Sequence, residues 1–259
     1  MPRFWLAFLL VLLGTTPAFA QGDPSRVVLS QDRVWGAADA PILVVEYSSL
    51  TCPHCAASHQ TVLPTLVERY VNQGAVKLVV RPFPLDSVAL GGALLSYCLP
   101  EEAYYPYTKS LYERQDRWSA SRDPEAELVA LAAPFGLSAE GAAACLADEA
   151  IQTLVANYAL QAQQSLDVRS TPSYFVNGTP SRSSGLLAAV EAALPAGFEA
   201  VAYEAPWLAN AEAAGAAGAT GAADIGSSES EASVDSASDA SATSTAPSRP
   251  WWRFWQRGS

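Results

Sequence analysis

The chain has 259 residues, a formal net charge of −11 and four cysteines. This acidic balance argues against nucleic acid as a partner, because a polyanion is bound mainly through an excess of Lys and Arg. The length allows one globular domain, or one domain that carries an insertion, together with segments that do not fold.

The first twenty residues have the pattern of a secretory signal peptide. Met1–Arg3 is short and basic, an apolar run follows from Phe4 to Leu13, and Ala18-Phe19-Ala20 supplies small residues around a cleavage point. The apolar run is too short to span a bilayer, so Gln21 is the predicted first residue of the mature chain. Export predicts an oxidising compartment, in which cysteines can pair stably.

A strand predicted over Ile42–Tyr47 leads into the motif Cys52-Pro53-His54-Cys55, and a helical pattern follows it. Pro64 predicts a break in that helix, and Val76–Arg81 predicts a second buried strand. This order predicts a βαβ unit with a parallel pair of strands. Lys77 and Arg81 are predicted to be charges at the edge of the sheet.

The C-x-x-C motif at a helix start is typical of reactive thiols. The helix N-terminus offers unpaired N–H groups and the positive end of the helix dipole, and both favour a thiolate over a thiol. His54 can add a hydrogen bond or a positive charge beside the same sulfur. We therefore interpret Cys52 as a redox nucleophile and Cys55 as its resolving partner.

Two other interpretations of the motif are weaker. A structural zinc site needs a second pair of ligands at short spacing, whereas Cys98, Cys145 and His59 are isolated, which leaves zinc roughly one chance in ten or less. A purely structural disulfide across so small a loop would return little chain entropy. No metal and no cofactor are predicted.

Glu46 is a candidate proton relay, because it lies in an otherwise apolar strand just before the motif. If alternation points it inward beneath the cysteines, it can accept or relay the proton of Cys55. A solvent-facing Glu46 agrees equally well with a period of two. His59, one helical turn after Cys55, is predicted to be a solvated or packed helix residue.

Helical patterns dominate from Asp86 to about Leu166, and this block is too long to be a loop, so it indicates an insertion. A short strand is then predicted over Tyr174–Val176. Asn177-Gly178 predicts a hairpin turn. An alanine-rich helix over Gly185–Leu194 closes the domain.

Taken together, the strand, C-P-H-C, helical insertion, Thr171-Pro172 and Phe-Val-Asn-Gly hairpin resemble the DsbA-type thiol–disulfide oxidoreductases. The resemblance covers Val27 to Leu194 and implies an α/β, thioredoxin-like fold with an inserted all-helical domain. Residues 21–85 and 165–200 would form the thioredoxin-like domain, and residues 86–164 the insertion.

The resemblance also implies roles for individual residues. Cys52 resembles the exposed nucleophile and Cys55 the buried resolving thiol, while Pro53 and His54 resemble the dipeptide that tunes the redox potential. Pro172 resembles a cis-proline that faces the disulfide, and Thr171 before it would offer backbone groups to an extended substrate.

The activity implied is that of a periplasmic oxidase that passes the Cys52–Cys55 disulfide to cysteines of secreted proteins through a mixed disulfide on Cys52. A quinone-linked membrane oxidase of the DsbB type would recharge it. A disulfide isomerase or reductase of the same fold, and a non-catalytic chaperone-like module, are the alternatives. Isomerases usually carry a separate dimerisation domain, and an intact C-x-x-C weighs against the chaperone.

Cys98 and Cys145 fall at helical positions in the insertion. A second disulfide in the helical domain occurs in some proteins that this chain resembles, and we expect a structural bridge here. Two buried free thiols and a second redox relay are the alternatives.

The C-terminal region departs from that resemblance. Residues 209–248 are rich in Ala, Ser, Gly and acid, which predicts a disordered acidic linker. Residues 249–259 interleave Trp and Phe with Arg, which suits weak contact with a membrane surface. A partner-docking tail and a tail without function are the alternatives.

Overall fold

The computed structural model describes residues 23–203. The predicted signal peptide, the acidic linker and the aromatic tail lie outside the described residues.

The sheet has five strands in the order β1-β3-β2-β4-β5. The strands are β1 Val34–Trp35, β2 Ile42–Ser48, β3 Val76–Pro82, β4 Ser173–Val176 and β5 Thr179–Ser181. β2 and β3 are parallel, which confirms the βαβ unit, and the other neighbouring pairs are antiparallel. The short strand β1 has no counterpart in the sequence prediction.

The helices match the predicted order. They are α1 Pro53–Thr61, α2 Leu63–Leu66, α3 Ser87–Cys98, α4 Glu101–Glu113, α5 Gln115–Ser119, α6 Pro124–Ala132, α7 Ala139–Leu146, α8 Glu149–Leu166 and α9 Leu186–Ala193. A single π-helical turn over Val67–Val71 follows α2. The predicted break is confirmed, because Pro64, which has no N–H to donate, lies in the first turn of a new helix.

The sheet has two buried faces, because every residue of β2 is buried. Alternation along the strand sends Ile42, Val44 and Glu46 to one side, here called the front face. Leu43, Val45 and Tyr47 point to the other side, the back face. The fold thus gives adjacent residues of one strand entirely different surroundings.

The insertion does not have a core of its own. One apolar cluster runs from the front face of the sheet into α3, α4, α6 and α7 without a break. The last turns of α8 pack on the back face, where Ala162 joins Val45 and Phe175. The helical block therefore shares its packing with the sheet, and the domain limits given above remain predictions.

A disulfide joins Cys98 at the end of α3 to Cys145 in α7. It links two helices of the block across 47 positions of the sequence. The pairing makes the free-thiol and redox-relay alternatives for these two cysteines unnecessary.

Arg81 is not an edge charge, and this expectation was wrong. β3 lies inside the sheet, and Arg81 is completely buried on the back face. Its guanidinium forms a bidentate ion pair with Asp32, 2.9 and 2.6 Å, and donates to the hydroxyl of Tyr47 at 3.0 Å. It also donates to the carbonyls of Pro24 and Val27. The N-terminal segment supplies partners that strand patterning cannot reveal. Lys77 is half-buried and donates to the Ala38 carbonyl at 3.0 Å.

The hairpin between β4 and β5 turns at Asn177 and Gly178, as predicted. Both residues have positive φ, 48° and 81°, which is the backbone that an Asn-Gly turn adopts. The Asn177 side chain also accepts a hydrogen bond from the Leu43 amide at 2.8 Å, so the turn is attached to β2.

Within residues 23–203, no single helix is both long enough and apolar enough to cross a membrane. The segments Pro124–Phe135 and Ala139–Leu146 meet that criterion only as a pair, and the pair is bent by 120°.

Candidate active site

Cys52 lies at the N-cap of α1, and a loop of three residues separates it from the C-terminal end of β2. Its amide donates to the carbonyl of Ser49 at 3.1 Å, and its own carbonyl accepts from Ala56 at 3.1 Å, so the loop turns straight into the helix. Pro53 follows at the first helical position, where its missing N–H costs nothing. The sulfur therefore stands where the unpaired amides and the dipole of the helix favour negative charge.

Access to Cys52 is narrower than expected. The residue is only 6% exposed, which corrects the expectation of an exposed nucleophile, whereas Pro53 and His54 beside it are exposed. The reason is the loop opposite: the Sγ atom of Cys52 lies 3.4 Å from the carbonyl oxygen of Thr171. A partner sulfur must therefore approach along that loop.

The peptide bond between Thr171 and Pro172 is cis. Pro172 is half-buried beside Cys52, and β4 begins immediately afterwards at Ser173. The carbonyl of Thr171 contacts Cys52 from this loop. The structure thus brings the predicted substrate-binding pair directly to the predicted nucleophile.

Cys55 has a different environment from Cys52, although both are free thiols. Cys55 is fully buried in the first turn of α1. Burial, together with the nearby charge of Glu46, raises the pKa of Cys55 to about 12, against smaller opposing contributions from hydrogen bonds to Ser48 and the backbone of Ser49. Cys55 therefore holds its proton at neutral pH and must lose it before it can act as a nucleophile.

Glu46 points inward, to the front face beneath the motif, and is 0% exposed. Both of its carboxylate oxygens lie within hydrogen-bond distance of Nε2 of His59, at 3.1 and 3.0 Å. This excludes a solvent-facing Glu46. His59 is a packed helix residue, which agrees with one of the two expectations for it, and it also binds this carboxylate.

His59 is the functional candidate that the sequence prediction missed. Its ring stacks on Tyr112 of α4 with a centroid distance of 3.9 Å. A signal was available, since His59 lies four residues after Cys55 and therefore on the same face of α1. A buried acid in β2 would meet that face.

Two tyrosines close the site with hydroxyl pairs. The hydroxyl of Tyr112 lies 2.7 Å from that of Ser48, and the hydroxyl of Tyr174 lies 2.8 Å from that of Ser58. Burial raises the pKa of both tyrosines well above the ordinary value, so they stay neutral.

The helical block holds the loop that carries Cys52. The side-chain amide of Gln115 in α5 donates to the carbonyls of Leu50 and Cys52, at 2.6 and 3.0 Å. On the other side, the hydroxyl of Thr51 donates to Asp86 at 2.6 Å, and Asp86 also caps α3. The loop is thus fixed from two separate helices.

Among residues 23–203, no cluster of three or more His, Cys, Asp or Glu side chains is arranged to hold a metal ion. The chemistry that the described side chains can perform is exchange between two thiols and a disulfide. Cys52, which contacts the carbonyl of Thr171, and the fully buried Cys55 are the two free thiols placed at this site.

Comparison with known proteins agrees with this geometry. A sequence model described as thioredoxin matches residues 29–194. A Rickettsia typhi protein, provisionally named a protein-disulfide oxidoreductase, is 34% identical over 151 residues, which are 58% of this chain and 56% of that protein. The matches to it and to four other Rickettsia proteins span between 53% and 64% of those proteins' lengths.

Solved structures give the same result. The crystal structure of Wolbachia pipientis alpha-DsbA1 is 27% identical and has a TM-score of 0.59, with 64% of this chain and 92% of that one covered. BdbD from Bacillus subtilis, at 19% identity and a TM-score of 0.60, supports the fold, and covers 65% of this chain and 96% of that one. The chain therefore belongs to the thioredoxin family, and it is similar to a DsbA-type protein of known structure.

Proposed function

We propose that this protein is an exported oxidase that gives the Cys52–Cys55 disulfide to cysteines of secreted or periplasmic proteins. The observation that supports this most is the contrast between the two sulfurs. Cys52 stands at a helix N-terminus against the carbonyl of Thr171, while Cys55 is fully buried beside Glu46. One sulfur is placed for exchange with another molecule and the other for an internal step.

The first step is attack by a client thiolate on Sγ of Cys52. The Cys52–Cys55 bond breaks, a mixed disulfide forms on Cys52, and the electron pair of the broken bond goes to the sulfur of Cys55. Because the pKa of Cys55 is about 12, that sulfur takes up a proton at neutral pH.

In the second step, a second client thiolate attacks the client sulfur of the mixed disulfide. The client disulfide forms, and Cys52 leaves as a thiolate, which the helix N-terminus favours. The client has lost two electrons and the Cys52–Cys55 pair has gained them. Stabilisation of the leaving thiolate makes the pair a better oxidant.

Thr171 and Pro172 would position the client. An extended client segment can pair with the backbone before Pro172, as a strand pairs with a sheet edge. Pro53 and His54 would adjust the potential from the solvent side. Glu46 would relay the proton of Cys55.

Continued turnover requires a partner that removes two electrons from the Cys52–Cys55 pair. We propose that this partner is a quinone-linked membrane oxidase of the DsbB type, which would restore the Cys52–Cys55 disulfide by exchange at Cys52. The periplasm would supply both this partner and the clients, and residues 1–20 would direct the chain there.

The redox equilibrium of the Cys52–Cys55 pair with glutathione tests the direction of transfer. We expect a potential clearly more oxidising than that of thioredoxin, about −270 mV, because Cys52 lies at the N-cap of α1, a position that stabilises the reduced form of such a pair. A potential as reducing as that of thioredoxin would contradict the oxidase. In parallel, Cys55→Ser mixed with a client that contains a disulfide should accumulate a mixed disulfide on Cys52, because Cys52 attacks the client disulfide and no second thiol resolves the product, and Cys52→Ser should accumulate none.

We also propose that residues 249–259 touch an anionic membrane surface near that partner. The test is co-sedimentation with liposomes of anionic lipid, for the full chain and for a chain that ends at residue 248. Pelleting of the full chain alone is expected, and equal pelleting of the two chains contradicts the contact.

A further inference from the structure

The buried charge of Glu46 has His59 as its ion-pair partner among residues 23–203. Glu46 is 0% exposed; both of its oxygens lie within hydrogen-bond distance of Nε2 of His59, and its other side-chain hydrogen bond is with the neutral hydroxyl of Tyr174. A buried carboxylate is costly unless it is paired or takes up a proton. The protonation state of His59 therefore determines whether Glu46 has a counter-charge.

The imidazole of His59 connects this buried carboxylate to the protein surface. The side chain of His59 is 10% exposed, whereas that of Glu46 is 0% exposed. Within the part of the chain that the structure describes, the hydrogen bonds of the ring use Nε2, and Nδ1 has no hydrogen bond to these residues. Stacking on Tyr112 fixes the ring in this orientation.

We propose that His59 is the positioning residue that exchanges protons between solvent and the Glu46–Cys55 pair, and so sets the pH dependence of every step in which Cys55 reacts. The proposal rests on the proposed function, because it concerns the resolving step of the same dithiol. It adds a residue and a pH range to that function.

The step is clearest when Cys55 closes a mixed disulfide between Cys52 and glutathione. Cys55 transfers its proton to Glu46, and its sulfur forms a bond to Sγ of Cys52. The bond from Cys52 to glutathione breaks, and glutathione leaves as a thiolate that takes a proton from water. A neutral ring with its proton on Nδ1 accepts this proton from Glu46 on Nε2 and releases the Nδ1 proton to water, which leaves Nε2–H to donate to the ionised Glu46.

The ionisable groups that surround Glu46 and His59 come from four elements. Tyr112 on α4 stacks on the ring of His59, and Tyr174 on β4 and Cys55 on α1 lie near Glu46 on β2. Burial raises the pKa of both tyrosines and of Cys55, so these three stay protonated. An imidazole ordinarily titrates between about pH 6 and 7.

The test compares two substitutions at one position. His59→Gln keeps an N–H donor near the place of Nε2 but exchanges no proton in this range, whereas His59→Leu removes both the donor and the proton. The dithiol protein is mixed with glutathione disulfide, quenched with acid at intervals, and analysed by mass spectrometry. This separates formation of the mixed disulfide by Cys52 from its closure by Cys55.

For the wild type we expect a closure rate that bends near the titration of His59. For His59→Gln we expect closure at least about tenfold slower near pH 6.5, with a rate that rises about tenfold per pH unit, since only hydroxide then removes the proton. Formation of the mixed disulfide should change less than closure. A wild-type pH profile in His59→Gln would overturn the proposal and reduce His59 to a hydrogen-bond donor.

A second measurement does not depend on how the variants fold. The chain has two histidines, His54 and His59, so nitrogen NMR of the wild type shows two imidazoles, and a His54→Ser protein serves to assign them. The titration of His59 should differ between the dithiol and disulfide forms, and an identical titration in both would overturn the proposal.

The outcomes separate this inference from the proposed function. If the wild type oxidises a client dithiol but His59→Gln closes with the same profile, only the inference fails. If the closure rate depends on His59 but the wild type does not oxidise a client, the inference stands and the proposed direction fails.

Discussion

Glu46 and Tyr47 are neighbours on β2, yet they belong to the surroundings of two different buried charges. One charge is Arg81, which Tyr47 contacts on the back face, and the other is Glu46 itself on the front face. On the back face, Tyr47 helps to hold Arg81, whose five N–H donors all have acceptors on Asp32, Tyr47 and the backbone of the N-terminal segment. On the front face, both oxygens of Glu46 share one nitrogen of His59.

The difference separates a charge that is locked from a charge that can change. Arginine stays protonated at any working pH, and its complete set of partners fixes the backbone that supplies them. The ion-pair partner of Glu46 is instead a histidine, the type of side chain whose charge most readily changes in the physiological pH range. Arg81, whose charge is constant, lies on the face away from the cysteines, and Glu46, whose ion pair can change its charge, lies beneath them.

The largest expected effect comes from removing the counter-charge of Arg81 on the back face. Asp32→Ala leaves the guanidinium of Arg81 buried without its counter-charge, and we expect the free energy of unfolding to fall by as much as about 5 kcal/mol. Urea denaturation measures it. Lys77→Ala is the matched control on the same strand, because the half-buried Lys77 donates to one carbonyl through a solvent-exposed hydrogen bond, and should cost below about 1 kcal/mol. Equal losses in the two variants would contradict the distinction.

The next effect removes the bridge that holds the helices over the front face. The Cys98–Cys145 disulfide closes a loop of 47 positions, so Cys98→Ala with Cys145→Ala should lower the free energy of unfolding by about 4 kcal/mol. The bridge lies in the helical block and not against Cys52, so the potential of the Cys52–Cys55 pair should stay within about 10 mV of wild type. A large change in potential would show that the block and the dithiol are more tightly coupled.

A smaller effect concerns the pH dependence of the front face. Because the folded protein raises the pKa of Cys55 to about 12 from 9.0, it holds this proton where the unfolded chain has already released it. The stabilisation is complete below about pH 9 and is lost as the pH rises towards about 12. Between about pH 9 and pH 10.5, the dithiol wild type should lose about 1 to 2 kcal/mol more than Cys55→Ala. Parallel curves for the two proteins would rule out the raised pKa.

The smallest effect isolates the charge of Glu46. In a Cys52→Ala background, Cys55 is the free thiol that remains, and thiolate absorbance in the ultraviolet reports its titration. Adding Glu46→Gln removes the nearby negative charge, so the titration should move to lower pH. We expect at least about a threefold gain in thiolate near pH 10. An unchanged titration would mean that burial alone raises the pKa.

Local pattern was sufficient for most of the fold. The apolar run of β2, the break at Pro64 and the Asn177-Gly178 turn each depend on the chemistry of adjacent residues, and each is where the sequence predicts it. The C-P-H-C motif located the dithiol for the same reason. Strand β1 is only two residues long, and so short a segment has no readable period.

The errors concern partners that are distant in the sequence. Arg81 looks like an edge charge because its counter-ion, Asp32, lies 49 positions earlier, in a segment without periodic pattern. The accessibility of Cys52 depends on Thr171, 119 positions later. His59 is the exception: it lies 13 positions from Glu46 and shares a helix face with Cys55, so the pattern contained the clue.

Gln115 has a consequence for how such sites are transferred between proteins. Its side chain belongs to the helical block, yet it holds the backbone on both sides of Thr51 through the carbonyls of Leu50 and Cys52. The orientation of the nucleophile is therefore set partly by a helix that a minimal thioredoxin scaffold lacks. A C-P-H-C loop grafted onto such a scaffold would keep the motif but not the side-chain amide that anchors it. The first cysteine of the grafted loop would therefore be held less rigidly.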